Sequence, residues 1–170
     1  MLKKGAAERA LGRAVSTGGD FAEIFYEDTR SSRIGQTDDR IDTATSGRIH
    51  GAGLRVYKGT NSVYVHTNDT SDAGLMALAE RAADAVGSVR GEDRQIQLSG
   101  SIVKNIHEIR ELPMDVSGER RRALVREACR AARAESAEIA HVTGALWDWE
   151  QAVTIANTEG MFVSDQRVYT

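Results

Sequence analysis

The stretch RIHGAGLRVYKGTNSVYVHTND, residues 48–69, predicts its own strand pairing. A two-residue turn at Gly59-Thr60, with glycine in first place, is typical of a type II′ β-hairpin. This turn sets the strand register, and a slip of one residue would mix the two faces of the hairpin. One face is then apolar and consists of Leu54, Val56, Val63 and Val65. The other face carries Arg55, Tyr57 and Tyr64. The poor strand formers Gly51 and Gly53 indicate a bulge or a close approach of another backbone.

A helix capped by Thr70 or Ser71 is predicted to follow the hairpin and to reach Val86. Its apolar stripe, which would cover the apolar face of the hairpin, contains Leu75, Leu78, Ala79, Ala82 and Val86. Before the hairpin, the pattern predicts a helix over residues 4–15 and strands over residues 20–36 and 40–46. Residues 1–88 are therefore expected to form an α+β unit of helix, four strands and helix. Strands in this meander order pair antiparallel.

The second half of the sequence predicts a connection, a helix and three more strands. Residues 89–116 are rich in glycine and charge and are expected to form a boundary or mobile connection. Ser117 can cap a helix that runs to Arg133, and strands are predicted over residues 139–149, 152–157 and 161–169. The inward positions of this helix are Leu124, Val125, Ala128, Cys129 and Ala132. The predicted fold class is α+β, an antiparallel meander sheet packed against helices, with 117–170 as a second strand cluster.

Composition limits the possible partners. The chain has 170 residues, with 22 Lys and Arg against 25 Asp and Glu and a pI near 5.8. Such a balance creates no overall field that would attract nucleic acid or an anionic membrane. The single cysteine excludes an internal disulfide and is typical of a reducing compartment. No apolar run approaches the roughly 18 residues of a membrane span. We expect a soluble, cytoplasmic protein with no membrane partner.

The search for catalytic and metal-binding residues is negative, so none is predicted. The histidines at 50, 66, 107 and 141 are scattered and do not form a His-Glu-x-x-His motif. The predicted register places His50 and His66 on opposite faces of the hairpin, which argues against a shared metal. Gly51-Ala52-Gly53 runs into a strand rather than a helix, so it cannot be a dinucleotide fingerprint. Cys129 is expected to be a small buried thiol rather than a nucleophile.

Three surfaces remain as candidates for contact with other molecules. The helix predicted from Ser117 to Arg133 has a basic side, which consists of Arg120, Arg121, Arg122, Arg126, Arg130 and Arg133. We expect a solvated, partly ion-paired face, the alternative being a patch for an acidic partner. Trp147 and Trp149 are expected to be core or domain contacts rather than a base-stacking platform.

The polar stretches 30–33 and 40–46 are too polar to be central strands, so one of them should border the sheet. It would pair with an extended peptide or be covered by a partner subunit. The candidate peptide or partner contacts are Arg40, Asp42, Thr43, Thr45, Arg55, Tyr57 and Tyr64.

Several segments in order resemble one protein family. GGDFAEIFYEDTRSSRI and DDRIDTATSGRIHGAGLRVYKGTNSVYVHTNDTS are followed by an Ala-rich helix, a charged helix, EIAHVTGALWDWEQAVTIAN and TEGMFVSDQR. The last segment is similar to an Asn-Ser/Thr-Glu/Asp-Gly-x-x-x-x-Asp-x-Arg motif through Asn157, Glu159, Gly160, Asp165 and Arg167. Together they resemble the N-terminal part of the TldD/PmbA metallopeptidases, also called modulators of DNA gyrase, on the TldD side. The resemblance covers nearly the whole chain.

This resemblance implies a full-length, dimeric, zinc-dependent peptidase that processes unfolded peptides. The partner would be a homologous subunit, in a homodimer or a heterodimer. The zinc motif of the family, His-Glu-x-x-x-His, lies in a C-terminal half beyond Thr170. The present chain is therefore expected to contain no cofactor, to be inactive alone, and to enclose substrate and contact the partner. A rival interpretation is a free-standing protein-binding module without hydrolytic activity. A weaker one is a DNA-associated regulator, although nucleic acid is not an expected partner.

Overall fold

The described part of the chain forms three α-helices and a six-stranded sheet. The computed structural model describes residues 1–87, 89, 91–103 and 108–170. In chain order the elements are α1 (Lys4–Ala14), β1 (Phe21–Thr37), β2 (Arg40–Lys58), β3 (Asn61–Thr67), α2 (Asp72–Val86), β4 (Ser99–Ile102), a 3₁₀ turn (Pro113–Asp115), α3 (Gly118–Ala134), β5 (Thr143–Asn157) and β6 (Met161–Tyr169). The strand order is β3-β2-β1-β5-β6-β4. The sheet is mostly antiparallel, so the predicted α+β class is confirmed, although β4 pairs parallel with β6.

The chain divides into two compact units. The first unit consists of Met1–Asp28, His50–Lys104 and Ala152–Gln166. The second unit consists of Thr29–Ile49, Asn105–Gln151 and Arg167–Thr170. Since β1, β2, β5 and β6 contribute residues to both units, the division does not follow the chain order. The domain limits at residues 88 and 116 stay a prediction.

The hairpin of the first unit has the predicted register. Leu54 lies opposite Val65, Val56 opposite Val63, and Lys58 opposite Asn61. Gly59 has a φ of +56°, and Asp38 is the only non-glycine residue with positive φ in the described part of the chain. Thr60 therefore has negative φ, which fits a type II′ turn and not a type I′ turn. A Cβ at residue 51 would lie 2.7 Å from the Thr67 carbonyl oxygen, which confirms the close backbone approach.

The core of the first unit lies between two helices and the apolar face of the hairpin strands, which carries Leu54 and Val56 on β2 and Val65 on β3. Ser71 caps α2 as predicted, because its Oγ accepts a hydrogen bond of 3.1 Å from the Gly74 N–H. The predicted stripe of α2 is buried except for Val86, which is half-buried. The largest fully buried side chains of this core are Leu11, Ile24, Leu54, Val56, Leu75 and Leu78. Of the predicted apolar hairpin face, Leu54 and Val56 are fully buried in this core and Val65 packs against it, whereas Val63 is half-buried and lies outside this cluster.

The segment 91–98, predicted as part of a connection, packs on α1. Ile96 and Leu98 belong to the core of the first unit. The Leu98 N–H donates to Glu8 Oε1 at 3.1 Å, and the Gly91 N–H donates to the Ser16 carbonyl at 2.7 Å. These bonds satisfy backbone groups that have no strand partner. Periodicity could not reveal this packing, because only two apolar side chains carry it.

Two predicted strand breaks are wrong. Residues 40–46 and the first hairpin strand form one continuous strand, β2, so three strands rather than four lie between α1 and α2. Similarly, β5 continues through Glu150-Gln151, where a turn was predicted. Glu150 is buried in the strand because its carboxylate accepts the Met114 N–H at 3.3 Å and lies 3.7 Å from Arg30. A polar residue whose hydrogen bonds are satisfied within the strand gives the same sequence signal as a turn.

The second unit has a small core beneath α3. Ile34, Val125, Cys129 and Val142 are its buried members. Ser117 caps α3 as predicted, and Cys129 is a buried thiol as predicted. The predicted inward positions Leu124, Ala128 and Ala132 are wrong, since all three are exposed. The helix contacts the sheet through only one row of side chains, so its apolar stripe is wider than the surface that it covers.

No helix in the described ranges is both long enough and apolar enough to cross a membrane.

Substitution of the β2 glycines tests how tightly the hairpin strands approach. We expect Gly51→Ala to lower the free energy of unfolding by about 1–3 kcal/mol, because the new methyl group would collide with the backbone of β3. The matched control is Gly47→Ala, whose Cβ meets only Ser31 Oγ, at 3.4 Å. This control should change stability by about 0.5 kcal/mol or less. Urea denaturation measures both variants, and equal losses would contradict the close approach.

Candidate functional site

One side of the β2 strand has no strand neighbour over its first twelve residues. In the sheet, β2 lies between β3 and β1. Its pairing with β3 begins at Ala52 and ends at Lys58, so Arg40–Gly51 extend past the end of β3. Among the described strands, none pairs with this side of Arg40–Gly51, although residues 67–70 contact its last two residues, His50 and Gly51. Of the two polar stretches, residues 40–46 therefore border the sheet, whereas residues 30–33 lie in β1 between β2 and β5. We call Arg40–Gly51 the β2 edge.

The β2 edge contains a bulge opposite Gly35. A two-residue turn places Thr37 opposite Arg40, yet Ser31 shares a face with Gly47, so the register shifts by one residue between these points. A Cβ at Gly35 would lie 3.1 Å from Asp42 Oδ1 and 3.2 Å from Thr43 Cβ. Two consecutive side chains thus lie over one residue of the neighbouring strand, which is the arrangement of a β-bulge.

An open groove of 350 Å³ lies over this bulge. Glycine and alanine at positions 35 and 145 leave space in it, and the side chains around it include Arg33, Asp42, Thr43 and Thr143. The Thr37 hydroxyl donates to Asp42 Oδ2 at 2.6 Å. Hydrogen bonds from Thr37 and Thr43 lower the pKa of Asp42, so its carboxylate stays ionised at neutral and mildly acidic pH.

The other predicted contact residues lie in the first unit, on the solvent-facing side of the hairpin. The Arg55 guanidinium stacks over the Tyr64 ring, 5.3 Å from its centroid. The rings of Phe21 and Tyr57 are 5.9 Å apart. Tyr57 and Tyr64 are both exposed. Arg40, Asp42, Thr43 and Thr45 belong to the second unit, so the candidate residues form two sets rather than one site.

Sequence reasoning missed a buried charged pair in the second unit. Asp148 is 3% exposed, and Arg121 Nη1 lies 3.2 Å from its Oδ2. Arg121 also donates to the Ser32 hydroxyl, and the Thr170 hydroxyl donates to Asp148 Oδ1 at 3.2 Å. A buried charge pair of this kind is strongly destabilising to break on one side only. The alternation Trp-Asp-Trp-Glu at residues 147–150 was the available signal, because it places two acids on one face of a strand.

The arginine face of α3 is partly ion-paired, as predicted. Besides the Arg121 pair, Arg133 contacts Asp38, and Arg120 lies 3.7 Å from Glu111. Of the two alternatives for Trp147, core or domain contact, the core is wrong, since Trp147 is 63% exposed. The Arg33 guanidinium lies 5.0 Å from its ring centroid, and the domain contact stays a prediction. The Trp149 ring instead packs against Tyr169, with centroids 5.2 Å apart.

Asp38 anchors the turn from which the β2 edge begins. It adopts a left-handed φ of +51°. Its backbone N–H donates to the Val142 carbonyl at 2.7 Å, and its carboxylate accepts the Val142 N–H at 3.0 Å. The carboxylate also contacts Arg133 and lies 2.9 Å from His141 Nδ1. The Val142 N–H, and then His141 and Arg133, lower the pKa of Asp38.

No metal site forms in the described part of the chain. There, no three His, Cys, Asp or Glu side chains come together so that they could hold an ion. His50 lies 3.2 Å from the Thr70 hydroxyl, while the His66 ring stacks on Tyr64. His107 lies outside the described residues. The motif residue Asn157 has a local role, since its Oδ1 accepts the N–H groups of Glu159 and Met161 in the turn before β6.

The lowered pKa of Asp38 predicts a pH-dependent contribution to stability. A carboxyl group whose folded pKa lies below its unfolded value stabilises the fold above that unfolded value, 3.8. The stabilisation is lost as the pH falls through the folded pKa. We expect Asp38→Asn to have a lower urea midpoint than the wild type at about pH 7 and to approach it at a pH well below 3.8. Asparagine tolerates the left-handed φ, so the change tests the charge. Asp39→Asn is the matched control, and an equal deficit of Asp38→Asn at both pH values would contradict the assignment.

The chain matches two models of one protein family. The PmbA/TldA metallopeptidase domain 1 matches residues 22–86, and the PmbA/TldA metallopeptidase central domain matches residues 111–170. A curated metalloprotease of Methanothermobacter thermautotrophicus is 28% identical over 144 residues. This match covers 85% of the present chain and 31% of that protein. The present chain thus spans about a third of the length of this relative.

Solved structures share the fold. A candidate modulator of DNA gyrase from Thermotoga maritima superposes with a TM-score of 0.72 at 16% identity, covering 96% of this chain and 37% of that one. TldE from Thermococcus kodakarensis superposes with a TM-score of 0.70 at 15% identity, and the match covers 96% of this chain and 37% of TldE. A candidate gyrase modulator from Bacteroides thetaiotaomicron superposes with a TM-score of 0.69 at 14% identity, and the match covers 99% of this chain and 40% of that one. The two family models together match well over half of the chain, residues 22–86 and 111–170. The chain belongs to the PmbA/TldD metallopeptidase family.

Proposed function

We propose that this chain is the substrate-enclosing and partner-contacting part of a zinc metallopeptidase that acts on unfolded peptides, and that it holds an extended peptide along the β2 edge. The side of Arg40–Gly51 on which no described strand pairs carries this proposal. A strand at the border of a sheet presents backbone N–H and C=O groups to any extended chain that reaches it.

Backbone pairing suits a peptidase that accepts many sequences. Main-chain hydrogen bonds supply affinity without reading side chains, so one edge can hold unrelated peptides. The side chains of the β2 edge support this use, since ten of its twelve residues are polar or small and eight of the twelve are exposed. Arg40, Asp42, Thr43 and Thr45 would line the bound peptide. An apolar edge of this length would instead favour aggregation.

The same edge could be covered by a homologous subunit in a homodimer or heterodimer. Exposed tyrosines and arginines are common in protein interfaces, so Arg55, Tyr57 and Tyr64 are the second candidate contact surface. Backbone pairing serves a subunit as well as a peptide, and the oligomeric mass separates the two cases.

The peptide-bond chemistry would be supplied outside the described residues. A catalytic zinc needs about three converging protein ligands and an open position for water. The described side chains provide no such set, so they do not fit the metal. We therefore assign this chain a role in binding, and we propose that hydrolysis and zinc belong to the rest of a longer protein. A free-standing binding module is the rival, and a His-Glu-x-x-x-His motif in a longer gene product would decide against it.

A role in DNA regulation is the weaker alternative. Two relatives carry a gyrase-modulator description, but the net charge of this chain is −3 and acids lie between the arginines of α3. Counterion release on duplex DNA should therefore be small.

N-methylated peptides test strand addition directly. The probe is a fluorescent, terminally blocked peptide of alternating Thr and Val with about eight residues, a usual strand length. In an antiparallel pair, alternate residues direct their N–H toward the partner strand. We expect methylation of one alternating set of amides to weaken binding by about tenfold or more, and methylation of the other set to have little effect. Fluorescence anisotropy measures this, and equal affinities for the two sets would contradict the proposal.

Two adjacent proline variants provide the matched control on the protein. Ala44→Pro and Thr45→Pro each remove one backbone donor, and the two donors point to opposite sides of the strand. The variant that keeps its thermal stability has lost the outward N–H. It should bind the peptide more weakly and retain its sedimentation mass. If that variant loses an oligomer and the peptide does not bind, the edge is a subunit contact instead.

A further inference from the structure

We propose that Asp42 binds a primary ammonium group of the bound peptide, so that the β2 edge prefers a lysine side chain or a free N-terminus at one position. This inference rests on the proposed pairing of a peptide with the edge. Backbone pairing alone reads no side chains, whereas a carboxylate fixed beside the peptide adds selectivity at a single position.

The bulge directs the Asp42 carboxylate. In a regular strand, Asp42 and Thr43 would face opposite sides of the sheet. Here the side chains of both lie over Gly35. The Thr37 hydroxyl holds Asp42 Oδ2 at 2.6 Å, which leaves the carboxylate in one orientation beside the groove. Bulges recur next to binding sites because they redirect a side chain in this way.

The strand positions determine which charge a bound peptide meets. A peptide on the β2 edge would lie about 4.8 Å from β2 and about twice that distance from β1. Asp42 belongs to β2 and is therefore a cross-strand neighbour of the peptide. The groove also contains Arg33, but this residue belongs to β1. Its guanidinium lies over the ring of Trp147 on β5, which is farther still from the edge. The Arg33 charge acts on the Asp42 carboxylate and is one of the weaker causes that lower its pKa, but the strand next to the peptide carries the negative charge. A cation is therefore favoured beside the edge.

The groove suits a small, strongly hydrated cation. An ammonium group has three donors and sits at the end of a flexible four-carbon stem in lysine. The carboxylate of Asp42 and the hydroxyl of Thr43, both on β2, offer acceptors at the side of the groove that is next to the edge. Gly35 and Ala145 leave its floor without long side chains. The hydrogen bonds that lower the pKa of Asp42 keep this acceptor charged at neutral pH.

Four blocked or unblocked peptides separate the two sources of the ammonium group. The host is the alternating Thr and Val peptide, acetylated and without charge. The second peptide carries one central lysine, the third has glutamate at that place, and the fourth is the host with a free N-terminus. We expect the lysine or the free N-terminus to tighten binding about fivefold over the host, and glutamate to weaken it. The peptide that gains affinity identifies the source.

Asp42→Asn is the test variant because asparagine keeps the size of the side chain and removes its charge. It should abolish the preference for the ammonium group, so that the lysine, free-amine and host peptides bind this variant with equal affinity. The matched control is Asp39→Asn, in the turn before the edge, which should retain the preference. Circular dichroism melting verifies that both variants are folded.

The outcomes distinguish this inference from the proposed function. If the wild type binds host, lysine and free-amine peptides equally, the ammonium site is wrong and strand addition stands. A preference for glutamate would assign the groove to Arg33 and overturn the inference. A preference that survives in Asp42→Asn would overturn it as well. If no peptide binds the wild type, strand addition fails and the inference fails with it.

Discussion

The β2 edge exists because β2 and β3 pair in a fixed register and differ in length. β2 has nineteen residues and β3 has seven, and the turn at Gly59 fixes where their pairing begins. The pairing stops at Thr67 because the residues that follow form the N-terminal cap of α2. The Asp69 carboxylate accepts the Ser71 N–H at 3.0 Å, and Ser71 then caps α2. A chain that must enter a helix here cannot continue as a strand, so the first twelve residues of β2 remain at the border of the sheet.

The two units are stabilised in different ways. The first has a continuous apolar core between helices and strands, in which six large side chains are completely buried. The second has only four buried members in its core and relies more on charge pairs. Asp148 and Glu150 point from one face of β5 to Arg121 and Arg30. Asp38 joins the first turn of the edge to Val142 and Arg133. These polar contacts are specific in geometry, so they hold the edge in position without a large apolar core.

Sequence patterns predicted the elements whose signal is local. The hairpin register, the Ser71 and Ser117 caps and the α2 stripe depend on residues a few positions apart, and all are confirmed. Features that depend on distant partners were missed. Glu150 looked like a turn residue because its partners, Arg30 and Met114, are far away in the chain. The bulge at Asp42 leaves no trace in composition, and β4, with the sequence Ser-Gly-Ser-Ile, carries too weak an apolar pattern to be recognised. The polar composition of residues 40–46 did indicate an edge, but only the length of β3 showed which strand provides it.

The most direct test of the account is amide hydrogen exchange along β2, measured by NMR with and without an extended peptide. In the free chain, outward N–H groups between Arg40 and Gly51 should exchange faster than their neighbours, which are bonded to β1. Added peptide should protect those outward amides, every second residue, and leave the paired stretch Ala52–Lys58 unchanged. Uniform protection of Arg40–Gly51 in the free chain, or no change on addition of peptide, would contradict the claim that this edge receives an extended strand.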